Sequence, residues 1–212
     1  MTTNQKESQI KSLISNFSIE TTPNVYLKYG SFSEFLNNNN DIYITYLPNE
    51  DPEKIIKTAK MINDEGFNAI PHLPARTIKN ITTLENYIGK LSQEAGCKKI
   101  LVIGGGGNKM GDIDSSMDVL NTDLLSKFNF SSVGVAGHPE GNPDIPQKDI
   151  EKAIKDKNEF SKNVDFEMYI ATQFFFEAKS LINWEKHLSS LGNNLPIHAG
   201  IPGPASIKTL IN

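Results

Sequence analysis

The feature that most constrains the fold of this chain is an alternation. Short apolar, β-branched runs recur along it, separated by longer stretches with helical periodicity. The strand candidates are FSIE (17–20), IYITY (42–46), NAIPHL (68–73), KILVIG (99–104), SSVGVAG (131–137), EMYIATQ (167–173) and LPIHAGI (195–201). Between them, DPEKIIKTAKMINDEG (51–66) puts Ile55, Ile56, Ala59 and Ile62 on one face, and ITTLENYIGKLSQEAG (81–96) does the same with Leu84, Ile88 and Leu91. Both stretches stop at a glycine, and INWEKHLSSLG (182–192) repeats the pattern. Strands that alternate with helices imply crossover connections and a parallel sheet covered on both faces.

Seven such strands without an evident linker predict one domain over 1–212, an α/β fold of the (β/α)8 TIM-barrel type that lacks its eighth β/α unit in this chain. A parallel barrel left open exposes two strand edges, so the expectation is a C-terminally incomplete barrel, or one closed by a partner.

The totals narrow the partners. Twenty-one Lys and Arg stand against 25 Asp and Glu, for a net charge of −4, and no long block of either sign argues for nucleic acid or a membrane surface. No stretch has signal-peptide or membrane-spanning character, and the single cysteine, Cys97, precedes an apolar run. The expectations are a cytoplasmic protein with a small-molecule partner and a structural thiol. FLNNNND (35–41) reads as a polar loop.

In a β/α barrel the functional residues gather where strands end. Here those ends carry Glu20, Thr45 with Tyr46, His72, the GGGGN run at 104–108, His138 with Glu140 and Asn142, Gln173, and His198. Glu20 is equally a general acid or an ordinary rim carboxylate. His72 lies between prolines and reads as a histidine satisfied by the backbone or as a ligand contact. The four histidines, 72, 138, 187 and 198, show no close ligand pairing, so no metal site is expected. The glycine-rich run permits close backbone approach to a phosphate or a planar ring, or is a flexible loop, and it has no GK[ST] continuation. Gln173 can present a donor and an acceptor to a heteroaromatic ring, with Phe174–Phe176 beside it as stacking surface or core.

The order FSIETTP, ITYLPNED, AIPHLPART, LVIGG, VAGHPEGNPD, IATQFFFEA and HAGIPGP resembles the methylenetetrahydrofolate reductase family across almost the whole chain. The resemblance implies a flavin-dependent oxidoreductase that interconverts 5,10-methylenetetrahydrofolate and 5-methyltetrahydrofolate in one-carbon metabolism and methionine biosynthesis. It implies FAD as cofactor, with NADH or NADPH as a possible electron donor, and either a homo-oligomer or a partner subunit. It assigns the catalytic proton donor to Glu20 and substrate contacts to Gln173 and Phe174. Flavin contacts fall on Thr45, Tyr46, His72, Gly104, Gly105, Gly106, His138, Asn142, Asn158 and Lys162. The cluster VGVAGHPEGNPDIP then becomes a rigid wall of the flavin site, its turn set by prolines. Lys162 would face a cofactor phosphate. This sequence departs from the family at Gly104–Gly106, where Arg-Gly-Asp is usual, and at His138 and Asn142, where tyrosine and histidine are usual. These departures, with the missing eighth unit, leave as alternatives a flavin-free folate-binding protein, a folate-dependent one-carbon transferase, or a truncated or partner-completed non-catalytic subunit.

Overall fold

A computed structural model describes residues 3–13, 15, 17–106 and 108–203. Seven parallel strands follow one another in chain order: β1 (Ile19–Thr21), β2 (Asp41–Ile44), β3 (Asn68–Pro74), β4 (Lys99–Ile103), β5 (Ser132–Gly137), β6 (Glu167–Thr172) and β7 (Ile197–His198). Each pairs with its sequence neighbours, from Ile19 beside Ile42 in the first pair to Ala171 beside His198 in the last. This is, among the described residues, the expected TIM-barrel-type architecture without an eighth β/α unit. Among the described residues β1 and β7 each have one strand neighbour, so the sheet is open on both outer edges.

The strands form because both of their faces are buried. Ile42, Ile44, Ile100, Val102, Val133, Val135 and Ile170 point to the helical layer and are inaccessible to solvent. The residues between them point into the barrel, where Tyr43, Ile70, Leu101 and Tyr169 make a second, separate cluster. Gly134 belongs to this inner face. A Cβ there would lie 2.7 Å from Cζ of Tyr169 and 2.8 Å from Cδ1 of Leu101, so glycine makes room for the tyrosine. The Tyr43 hydroxyl donates to the Tyr169 hydroxyl across the interior at 2.9 Å.

Helices α1 (Thr3–Leu13) and α2 (Pro23–Tyr29) flank β1 in the chain. Helix α3 (Pro52–Asp64) starts where Asp51 accepts from the Glu53 N–H and proline occupies the first turn, and it buries Ile55, Ile56, Ala59 and Ile62 as its periodicity predicts. Helix α4 (Ile81–Gln93) starts where Asn80 accepts from the Thr83 N–H and buries Leu84, Ile88 and Leu91. Two short helices, α5 (Ser116–Leu120) and α6 (Leu124–Lys127), lie between β4 and β5. Helix α7 (Gln147–Phe160) buries Ile150, Ile154 and Lys157, and α8 (Ala178–Ser190) buries Trp184 and Leu188, with Trp184 beside Gly137 of β5. Cys97 is fully buried, and burial pushes its thiol up to about 12. Among the described residues no helix is long and apolar enough to cross a membrane.

Candidate active site

Parallel strands bring all of their C-terminal ends to one rim. Glu20 on β1 and Thr45 just beyond β2 meet there, the Thr45 hydroxyl donating to the Glu20 carboxylate at 2.5 Å. His72 on β3 faces the same interior. It is 8% exposed, its Nε2 has no hydrogen-bond partner, and burial lowers its pKa while the Glu20 carboxylate pulls in the opposite direction. The desolvation effect is the larger, so His72 is held neutral. An uncharged imidazole with an orphaned buried nitrogen and a carboxylate close by forms the chemical centre of the rim.

The loop after β4 folds back over β3. The Gly104 carbonyl accepts from the Arg76 N–H at 3.0 Å and the Met110 N–H donates to the Arg76 carbonyl at 2.8 Å. Gly105 has φ +86°, and a Cβ there would come within 2.9 Å of the Pro74 Cβ, so glycine is required. Gly104 and Gly106 have nothing within 4 Å of a Cβ position and leave bare backbone facing open space. Gly107 lies outside the described residues. Arg76 is held by Asp114 at 2.9 Å.

Beyond β5, His138 is half-buried, and its pKa is lowered by burial and, less strongly, by Lys157. The turn that follows closes as the Gly141 N–H donates to the His138 carbonyl, and the Asn142 side chain accepts from the Asp144 N–H at 2.9 Å. Glu140 reaches the next loop, accepting from the Phe176 N–H at 3.4 Å. Gln173 is exposed, with its backbone N–H donating to the Gly137 carbonyl at 2.8 Å. Phe174 and Phe176 meet edge to face at 5.7 Å, 39% and 62% exposed. An exposed aromatic pair beside an exposed glutamine side chain is a surface that can receive a planar ring.

Three of the expected site residues lie elsewhere. Side chains alternate along a strand, so Thr45 points inward with Tyr43 while Tyr46 points outward, against Tyr87 of α4. Asn158 and Lys162 sit where α7 ends and the chain enters β6, at the opposite end of the sheet from His72. Asn158 donates to Asn193 at 2.8 Å and accepts from the Asn194 N–H at 2.8 Å, and Lys162 pairs with Glu159 at 2.6 Å. The structure brings neither of them to the rim. His198, exposed on the edge strand β7, stacks on Tyr169 at 4.2 Å, near the Asp41–Lys99 ion pair at 2.7 Å. Sequence reasoning missed the inner tyrosine pair, whose members lie on strands far apart in the chain.

The orphaned buried Nε2 of His72 gives the rim an unsatisfied hydrogen-bonding atom, and the bare backbone at Gly104 and Gly106 gives it open space, both features that a planar cofactor would use. Among the described residues no group of three His, Cys, Asp or Glu side chains is placed to hold a metal ion.

Comparison with known proteins adds a second line. The methylenetetrahydrofolate reductase family profile matches residues 36–211. The chain is 34% identical over 88 residues to Methylenetetrahydrofolate reductase 2 of Saccharomyces cerevisiae, covering 41% of this chain and 14% of that protein. It is 31% identical over 128 residues to Methylenetetrahydrofolate reductase 1 of Schizosaccharomyces pombe, covering 53% of this chain and 19% of that protein. The matched regions are thus less than a fifth of the length of either relative.

Proposed function

The chain belongs to the methylenetetrahydrofolate reductase family, and we propose that it acts as a flavin-dependent oxidoreductase interconverting 5,10-methylenetetrahydrofolate and 5-methyltetrahydrofolate. The observation that carries this reading is the meeting of Glu20, Thr45 and neutral His72 at one rim of the sheet.

Glu20 supplies the proton. In the reductive direction it protonates the amine nitrogen that leaves when the five-membered ring of the folate opens, which makes the one-carbon unit an electrophilic iminium. Thr45 fixes the carboxylate by donating to it, which orients the acid toward the interior. His72, neutral and with Nε2 unpartnered, presents a hydrogen-bonding atom to the edge of a flavin ring, and the bare backbone of Gly104–Gly106 allows that ring to approach closely. His138 and Asn142 lie in the loop that follows β5. Gln173 and Phe174 receive the pterin. Bound FAD would supply hydride transfer to the one-carbon unit, with NADH or NADPH as the source of electrons. This chain's own contribution is a positioned proton and two facing planar sites.

Glu20→Gln keeps the shape of the side chain and removes the proton. It should cut methylenetetrahydrofolate turnover by about 10²–10⁴-fold with folate affinity little changed, and wild-type turnover in that variant would remove Glu20 from the scheme. A second reading follows from Gly104 and Gly106, which offer no side chain to a cofactor: the chain binds folate without flavin. A colourless, folded protein that binds folate would favour that reading.

A further inference from the structure

Outside the barrel interior, on the far side of β2 and β3, a pocket of about 320 Å³ opens between helices α3 and α4. Its walls are apolar. Tyr46 and Tyr87 meet at 84° with ring centroids 6.3 Å apart, and Ile56 and Ile78, 5% and 6% exposed, complete the lining. This volume is in the range of small-molecule sites, and the half-buried ring of Tyr46 with aliphatic walls beside it suits a flat ring.

The polar groups at the mouth define what kind of ring. The Thr77 hydroxyl is occupied, donating to the Pro74 carbonyl at 2.7 Å and hydrogen-bonded with Tyr46, whereas the Thr83 hydroxyl donates to Asn80 at 3.0 Å and retains acceptor capacity. The Asn86 side chain is exposed and, among the described residues, has no hydrogen-bond partner, so it offers a donor and an acceptor together. The one cation of the lining, Lys90, is neutralised by Glu53 at 2.5 Å. Asp51 and Glu50 lie near enough to Tyr46 to act on its hydroxyl electrostatically. The mouth therefore accepts N–H donors and disfavours anions.

We propose that this pocket is a binding site for an uncharged heteroaromatic base of purine size carrying N–H donors, such as the base of a nucleoside. The base would lie against the half-buried ring of Tyr46, where that ring meets Tyr87 edge to face, with its donor edge toward Thr83 and its remaining polar edge on Asn86. The site is separate from the rim that holds Glu20, because Thr45 and Tyr46 point to opposite faces of the sheet. It nevertheless backs onto it, since the Tyr87 hydroxyl lies 3.4 Å from the His72 carbonyl oxygen. The inference does not rest on the reductase reading.

Titration calorimetry of the full 212-residue chain tests it with adenosine and guanosine, and with AMP and GMP as charged counterparts. The expected result is saturable binding of at least one nucleoside, weaker by about threefold or more for its monophosphate. Asn86→Ala should weaken binding by about threefold to tenfold. Asn86→Trp, at an exposed position, should close the mouth and abolish binding while the circular-dichroism melt stays cooperative. If that variant does not fold, Thr83→Trp closes the same mouth from another exposed position. No saturable binding of either nucleoside would overturn the proposal. So would equal or tighter binding of the monophosphates, or unchanged binding in a folded Asn86→Trp protein.

Discussion

Replacing Gly134 by alanine puts a methyl group into the middle of the barrel interior, where three atoms already stand too close. A Cβ at this position would lie 2.7 Å from Tyr169 Cζ, 2.8 Å from the Tyr169 hydroxyl oxygen and 2.8 Å from Leu101 Cδ1. Ordinary van der Waals contact begins near 3.4 Å. Neither neighbour can withdraw freely: Tyr169 is 5% exposed, stacked on His198 and bonded to Tyr43, and Leu101 is 7% exposed. Overpacking of this kind costs about 1–3 kcal/mol. For a chain of this length that lowers the melting temperature by about 2–12 °C. Gly104→Ala is the matched control, because nothing lies within 4 Å of its Cβ position; its stability should stay within about 0.5 kcal/mol of the parent. Urea melts of the two proteins read the difference, and Gly134→Ala combined with Tyr169→Leu should recover part of it. Equal stability of Gly134→Ala and Gly104→Ala would refute the inner-layer packing, and with it the register that sets Gly134 beside Leu101 and Tyr169.

Further outcomes follow from buried polar groups. Cys97, fully buried with its thiol pushed up to about 12, should resist a thiol reagent at neutral pH and label only after unfolding. Lys157 is 5% exposed and has no ion-pair partner among the described residues, and burial lowers its pKa from 10.5 to about 8, which corresponds to about 3 kcal/mol of disfavoured charge. Lys157→Met should therefore stabilise the fold at pH 7, and the gain should shrink from about pH 8 to 10.5, where the folded protein has released the proton and the unfolded chain still holds it. His72, His138 and His198 are all shifted down from 6.5, mainly by burial. Each binds its proton more readily when unfolded, so stability should be full above pH 6.5 and fall as the pH drops below it; a urea midpoint unchanged between pH 7 and pH 5 would contradict this.

The parallel sheet was legible because strands buried on both faces read as continuous apolar runs, as in KILVI of β4 and SVGVA of β5. Helices α3 and α4 were legible because their caps and apolar stripes agree. Helix α7 was obscured because its inward stripe is Ile150, Ile154 and a lysine, set in a strongly polar segment. Helices α2, α5 and α6 are too short for periodicity to register. At the site, strand ends located Glu20, Thr45 and His72, but the direction of Tyr46 follows from strand alternation, which motif order does not convey. Asn158 and Lys162 were matched by motif, whereas the fourteen-residue length of α7 carries them to the other end of the sheet. The contact of Tyr43 with Tyr169 spans 126 residues and depends on the register of four intervening strand pairs, which no local pattern contains.

The central claim is that the rim holding Glu20 and His72 receives a flavin. Its most direct test is the absorbance spectrum of the purified chain after incubation with FAD and exhaustive dialysis, taken beside the same experiment on His72→Ala. The account predicts a retained flavin band that bleaches under anaerobic reduction and returns on adding methylenetetrahydrofolate, with the band weakened in His72→Ala. A folded parent protein that emerges colourless would contradict it.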